Sequence, residues 1–172
     1  MASSPPRLTP ADIAERIKAH FGDDVPEAAD VLDQAVVRIM PARYRELITL
    51  LRDDADLDFD FFDFSTAVDL KEEGFDVVTQ LFSNRHHHHV RVKVRCDRES
   101  PSCPSVHELY PGANWFERET WELFGIDFEG HPQLVKLVLP EQFEGHPLRK
   151  DFVLTTRMAK PWPGEEKAEG PE

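Results

Sequence analysis

Between Asp58 and Cys96 the chain carries three strand-like segments in a row: DFDFFDFSTAVDL, FDVVTQLFS and HHHHVRVKVRC. Side chains along a strand point alternately to opposite faces, so alternating apolar and polar residues mark a strand with one face buried. In the third segment Val90, Val92 and Val94 take one side, and Arg91, Lys93 and Arg95 take the other. In the first, Phe59 and Phe61 oppose Asp58 and Asp60, and the phase shifts at Phe61-Phe62. That shift predicts a bulge or burial on both sides. Gly74 supplies the turn between the first two segments. A sheet with one apolar face needs helices to cover it.

The helices are written nearby. Thr9-Pro10-Ala11-Asp12 reads as a helix start. Thr9 caps free N–H groups, Pro10 suits the first turn, and Asp12 favours the positive helix end. Ile13, Ile17 and Phe21 form an apolar stripe, and Gly22 stops the helix. Val31–Met40 reads as a strand with Val37 and Ile39 on one face. Pro41 opens a second helix, PARYRELITLLRDD, whose Tyr44, Leu47, Ile48 and Leu51 recur at helical spacing. The predicted fold is α+β: a two-layer sandwich of two helices on a mixed sheet, in the order α-β-α-β-β-β, over residues 1–104.

A short helix and an extended C-terminal arm follow. Ser105-Val106-His107-Glu108 matches a capping box. After the break at Pro111-Gly112, NWFERETWELF predicts an amphipathic helix with Phe116, Thr120 and Leu123 on one side, within a helical segment at 105–125. Beyond Gly125 the periodicity fades. Residues 126–156 are studded with proline and glycine yet rich in Leu, Val and Phe, which predicts an arm wrapped around a partner. Residues 157–172 predict a disordered acidic tail.

A net charge of −13 argues against a field that attracts nucleic-acid phosphates. No apolar run approaches the ~20 residues that span a bilayer. The start, MASSPPRLTP, has no apolar signal core, so a membrane link is expected to run through a partner. Cys96 and Cys103 form no CxxC and read as free thiols in a reducing cytoplasm.

The tripeptide Gly-His-Pro occurs twice, at Gly130-His131-Pro132 and Gly145-His146-Pro147. Glycine permits unusual backbone angles and proline holds the chain extended, so each copy fixes a histidine at a sharp bend. That geometry suits a ligand, a general base or a docking knob. Glu119 and Glu122, at i and i+3, could hold a metal or act as acid and base. No Glu-x-x-His follows, and Arg118 offers an ion-pair partner, so a solvated or interface helix face is the better reading. In the run His86–His89, strand alternation lets only two rings share a face, such as His86 and His88, and no Cys or carboxylate stands at ligand spacing. The run therefore reads as structural. No nucleophile motif, phosphate loop or GxGxxG is present.

Glu117-Arg118-Glu119, two residues, Glu122-Leu123-Phe124, six residues and then His131 resemble the signature of the 30 kDa subunit family of respiratory complex I, the C subunit of bacterial NADH–quinone oxidoreductase. PGANWFERE, LFGIDFEGHP and GHPLRKDF are similar to the family from Ser105 to Phe152, and FDFSTAVDL resembles its central strand. Val135 stands where the signature usually has Arg, Lys or Pro, with Lys136 beside it; the histidine run is also unusual.

The resemblance implies a structural core subunit of the hydrophilic arm of a proton-translocating NADH–quinone oxidoreductase. It would be a peripheral protein on the cytoplasmic side of a bacterial cell membrane, without catalytic or metal-binding residues or independent activity. Flavin, iron–sulfur clusters and quinone would belong to partner subunits. It would dock chiefly on the large quinone-site subunit (the D subunit) and on neighbouring iron–sulfur subunits, supporting electron transfer from NADH to quinone. The implied interface holds Glu117, Arg118, Glu119, Glu122, Gly130, His131 and Pro132. It continues through Gly145, His146, Pro147, Arg149, Lys150 and Asp151, with Arg118 and Arg149 expected to be buried against a partner. Two alternatives stand beside it: the equivalent subunit of a membrane-bound hydrogenase or other quinone-reducing dehydrogenase, and a free-standing metal-dependent hydrolase using His131, His146 and Glu122.

Overall fold

Helix α1, Pro10–Phe21, begins where Thr9 and Asp12 cap each other reciprocally, and it buries Ile13, Ala14, Ile17 and Phe21. The computed structural model describes residues 8–153. The predicted acidic tail at 157–172, and the last residues of the predicted arm, lie outside them.

Strands β1, Glu27–Asp30, and β2, Ala35–Ile39, form an antiparallel hairpin where a single strand over Val31–Met40 was expected. The turn runs through Leu32 and Asp33, both at positive φ, with Val31 and Gln34 exchanging main-chain hydrogen bonds. The local sequence hides this hairpin. EAAD lacks β-branched and aromatic residues, and Leu-Asp is not the usual glycine- or asparagine-bearing pair. Val37 and Ile39 point into the core as expected.

Helix α2, Tyr44–Asp53, follows a short 3-10 turn opened by Pro41 and buries Tyr44, Leu47, Ile48 and Leu51. Strands β3, Phe61–Asp69, β4, Phe75–Ser83, and β5, His88–Cys96, complete a five-stranded sheet in the order β1-β2-β5-β4-β3. The sheet is mixed, because β2 runs parallel to β5 while the other neighbours are antiparallel. Gly74 is required at its turn, since a Cβ there would sit 2.2 Å from the Cys96 carbonyl oxygen.

Two local expectations change. Phe59 and Phe61 do not share a buried face. Asp58 has positive φ, and Phe59 lies before the strand with its N–H on the Leu51 carbonyl and its ring fully buried. Phe61 opens β3 and is half exposed. The predicted bulge is present, with the register shift between Phe62 and Phe64. In the histidine run, His86 and His87 form the turn and only His88 and His89 enter β5. The His86 and His88 rings nevertheless stack, with Nε2 atoms 3.2 Å from the Ala55 carbonyl oxygen and 2.8 Å from that of Leu57. They hold the loop leading from α2 into β3.

The chain then crosses from β6, Ser102–Pro104, through helix α3, Ala113–Phe124, to β7, Asp127–Glu129, which pairs parallel with β6. This small second sheet bridges the boundaries predicted at 104/105 and 125/126. Ile126 and Phe128 are buried, so the arm does not begin at 126. Ser105–Glu108 is a turn and not a helix start; Glu108 instead reaches Arg45.

The helices gather on one sheet face. Tyr44 of α2 shares a hydrogen bond with Thr79 of β4, and Phe124 of α3 meets Phe75 edge-on. Ile13 and Ile17 of α1 join Val37, Val90, Val92 and Val94 in the same cluster.

Candidate docking site around helix α3 and the arm

A helix repeats every 3.6 residues, so Ala113, Glu117, Thr120 and Phe124 form one inward stripe of α3. Glu122 is also buried but lies on another side. A solvated or interface face was the expectation for this helix. In the structure Glu117 and Glu122 point inward, Arg118 is half-buried and Glu119 is exposed. Glu119 and Glu122 therefore form no acid–base pair. Thr120 is buried as expected, while Phe116 and Leu123 are half-buried.

Glu117 anchors the loop ahead of its helix. Its carboxyl accepts the Ser105 hydroxyl and, at 2.7 Å, the main-chain N–H of Val106. Burial outweighs these donors and pushes its pKa up to about 7. Ser105 Oγ also lies 3.0 Å from Nδ1 of His107. The first Gly-His-Pro bend delivers His131 here. Gly130 takes φ 83°, and His131 Nε2 lies 4.0 Å from the Glu117 carboxyl. That separation is too long for a charge-assisted hydrogen bond. His131 Nδ1 accepts the Gln133 N–H, and its Nε2–H points to the Asn114 carbonyl. Burial depresses its pKa, so the ring stands neutral beside the carboxyl.

Glu122 holds the arm itself. Its carboxylate accepts the N–H groups of Leu137, Val138 and Leu139 at 2.9, 3.0 and 2.5 Å. Burial opposes the charge, but these donors and nearby Lys136 outweigh it and hold the carboxyl below its ordinary range. Lys136 turns back and donates to the carbonyls of Pro140, Glu141 and Phe143. Arg118 donates to the carbonyl of Val135, the signature's variant position.

The second Gly-His-Pro bend closes the end of α3. Gly145 takes φ 85°, and His146 donates from Nδ1 to the Glu122 carbonyl at 2.9 Å. Leu148 N–H meets the Leu123 carbonyl, and Arg149 donates to the carbonyls of Phe124 and Gly125. A cation is favoured at this negative helix end. Gly125, left-handed at φ 71°, leaves room for both: a Cβ there would come within 2.5 Å of His146 and 2.7 Å of Arg149. The Arg149 and Arg98 guanidiniums both lie over the Phe75 ring. Lys150 N–H and Arg98 meet the Asp69 carboxylate, and Arg98 also pairs with Asp151.

The bends are thus corners that fasten the arm to its own domain; an arm wrapped around a partner was expected. Arg149 is spent on its own helix end. Pro132 and Pro147 hold the chain direction after each histidine. The arm's other side carries exposed apolar residues next to an exposed ring of α3: Val138 of the arm is 66% exposed and Trp115 of α3 67%, and Leu148 and Val153 are also exposed. Trp115, Phe116, Glu119, Leu137 and Val138 line a cleft there. His131, His146 and Glu122 do not converge: Glu122 is committed to amides, His146 to a carbonyl, and His131 stands by Glu117. Among the described residues no cluster of three or more His, Cys, Asp or Glu is placed to hold a metal. Sequence reasoning missed Asp69, Arg98 and Ser105 as anchors; the pattern around Ser105 reads as a local cap and hides its long-range partner.

Residues 37–158 match the family model for the respiratory-chain NADH dehydrogenase 30 kDa subunit. The chain is 43% identical to the C subunit of the NADH-quinone oxidoreductase of Methylobacterium sp. (strain 4-46), over 83% of this chain and 67% of that one. It is 40% identical to the C subunit of the NADH-quinone oxidoreductase of Roseiflexus sp. (strain RS-1), covering 86% of each. Among solved structures it resembles a chain of the archaeal membrane-bound sulfane sulfur reductase, a respiratory membrane complex, with TM-score 0.72 and 25% identity over 83% of this chain and 85% of that one. It also resembles the trypsin-resistant fragment of Nqo5, with TM-score 0.61 and 28% identity over 71% of this chain and 96% of that one.

Proposed function

Since the chain belongs to the family of 30 kDa subunits of respiratory-chain NADH dehydrogenases, we propose that it is the C subunit of an NADH–quinone oxidoreductase and serves there as a scaffold. The carrying observation is the two-sided arm. Its inner side is tied to α3 and β3 through Glu122, Arg149 and Asp69, while its outer side presents Val138, Leu148 and Val153 to solvent, with the exposed Trp115 of α3 beside Val138. Exposed apolar strips on a fixed backbone support docking on a partner. The partner in this reading is the large quinone-site subunit, with neighbouring iron–sulfur subunits at the rim.

In this role the chain carries no redox group. Its two cysteines are fewer than the four that ligate an iron–sulfur cluster, and both are buried. Flavin, clusters and quinone belong to its partners, and the chain supports electron transfer by holding their arrangement. Among the described residues no helix is long and apolar enough to cross a membrane. The chain reaches the cytoplasmic side of the cell membrane through the complex.

The test places charge on the outer strip. Trp115→Glu combined with Val138→Glu touches none of the anchoring side chains. The isolated variant should keep wild-type thermal stability yet lose the quinone-site subunit when purified from native membranes. NADH oxidation per assembled complex should change little. Undiminished recovery of that subunit would overturn the docking reading.

One observation favours a second reading, a homologous subunit in another membrane-bound respiratory complex: the sulfane sulfur reductase chain has the higher of the two TM-scores. Sequence identities near 40% to C subunits of NADH-quinone oxidoreductases point to the first. Co-purified partners separate them, since a flavin-bearing NADH-oxidising subunit supports only the first.

A further inference from the structure

Among the described residues the helices cover one face of the five-stranded sheet and no element covers the other. Register assigns that open face. Val36 and Arg38 of β2 pair with Arg91 and Lys93 of β5, and Arg91, Lys93 and Arg95 pair with Gln80, Val78 and Asp76 of β4. On β3, Phe64 and Val68 lie opposite Gln80 and Asp76, and Phe61 lies opposite Phe82. None of these residues belongs to the helix-covered core cluster; even Val36, which is buried, stands outside it.

The face is divided. Its β3–β4 half carries the apolar side chains: Phe61 is 49% exposed and Val68 44%, with Phe64, Val78 and Phe82 half-buried beside them and the polar Thr66, Asp76 and Gln80 between. Its β5–β2 half is basic. Arg38 stands directly beside Lys93, and Arg91 and Arg95 flank Lys93 on the same strand face. Like charges in adjacent sheet positions repel. One buried carboxylate answers them from within the face: Asp76 takes Arg38 and Arg95 at 2.6 Å each, and Arg38 opposes the charge of Arg95 as they share it. Glu27 and Glu73 reach the same arginines from the rim, and Arg91 meets the neutral Gln80. A chain of net charge −13 thus concentrates four cations on one small surface beside the exposed ring of Phe61.

We propose that this open sheet face is a second docking surface, occupied by an acidic amphipathic protein surface of a neighbouring subunit that sets apolar side chains on the β3–β4 half and carboxylates on the β5–β2 half. The proposal rests on membership in the complex described above. Charge complementarity selects the occupant: carboxylates relieve the crowding around Lys93, and apolar groups cover Phe61 and Val68. A face divided into apolar and basic halves fits a protein better than a lipid surface, and the acidic remainder of the chain is repelled by anionic headgroups.

Lys93 is the only amine among these face residues and serves as the probe. Acetic anhydride should modify it at least about tenfold more slowly in the intact complex than in the isolated full chain. A zero-length carbodiimide reagent should join it to a carboxylate of another subunit. Lys93→Glu should loosen the chain, read as release from the complex at lower chaotropic salt. The new carboxylate would sit among Arg38, Arg91 and Arg95, so the isolated chain keeps its stability and release does not reflect unfolding. Lys18→Glu, on the exposed side of α1, should leave release unchanged. Equal acetylation of Lys93 alone and in the complex, with unchanged salt release of Lys93→Glu, overturns the second surface and leaves the scaffold reading standing. Absence of the wild-type chain from the complex overturns both. Protection of Lys93 in the isolated chain by phosphatidylglycerol vesicles overturns the protein occupant in favour of lipid.

Discussion

Lys150 donates its main-chain N–H to the Asp69 carboxylate at 2.7 Å, joining the end of the arm to the end of β3 across 81 residues of sequence. The same carboxylate accepts the Lys71 N–H and the Arg98 guanidinium. It is a clamp between two segments that share no local periodicity.

Asp69→Ala removes the acceptor and leaves its donors unmatched. Hydrogen bonds to a charged group contribute about 1.5–3 kcal/mol, so urea unfolding should show a loss of that order. Limited proteolysis should cut first near residues 148–153. Burial raises the pKa of Asp69, but the N–H groups of Lys150 and Lys71, with Arg98, outweigh it and hold the carboxyl below its ordinary value of 3.8. A depressed pKa contributes stability above the unfolded value and loses it as pH falls through the folded one. The clamp should therefore hold at neutral pH and weaken below about pH 4. Wild-type stability in acid should fall more steeply than that of Asp69→Ala.

Glu122→Gln tests the arm directly. The wild-type carboxylate offers two oxygens to the N–H groups of Leu137, Val138 and Leu139. Glutamine offers one oxygen and turns an NH₂ donor toward other donors. Hydrogen exchange at residues 137–139 should accelerate by roughly five- to 150-fold, for a local loss of about 1–3 kcal/mol. Unchanged protection there would show that the arm holds its place without Glu122.

Glu117 predicts a pH dependence of opposite sign to Asp69. Its carboxyl keeps a proton in the fold up to about pH 7, whereas the unfolded chain releases it near 4.5. Across that window the folded state binds more protons, so this group's contribution to stability falls as pH rises, by at most about 3 kcal/mol. His131 works against it. Its depressed pKa contributes stability above 6.5 that is lost as pH falls. Glu117→Gln removes only the first effect, because its side chain can pair with Ser105 and Val106 as the protonated acid does. Relative to wild type, the variant should be more stable at pH 7.5 than at pH 5. A difference independent of pH in urea titrations would contradict the buried-acid assignment.

The elements legible in the sequence were those whose pattern is local. The stripes of α1 and α2 and the alternation of β5 are complete within a dozen residues, and burial followed them in Ile13, Ile17, Tyr44, Leu47, Val90 and Val92. The signature around Glu117–His131 was legible as a family mark, because a string of residue types carries that information without coordinates. The β1–β2 hairpin was not legible, because its turn takes strained backbone angles at Leu32 and Asp33 that the rest of the sheet enforces.

Tertiary structure alone decided the fate of the charged residues of α3 and the arm. Sequence position marks Glu117 and Glu122 as polar, and polarity by itself favours solvent. Each is buried because N–H or hydroxyl donors arrive from chain 11 to 17 residues away and replace the water it gives up. The arm lacks periodicity because its anchors are main-chain groups and histidine rings spaced to match another segment's geometry. That spacing is set by where α3 ends and where β3 stops, a relation that exists only once the sheet has formed.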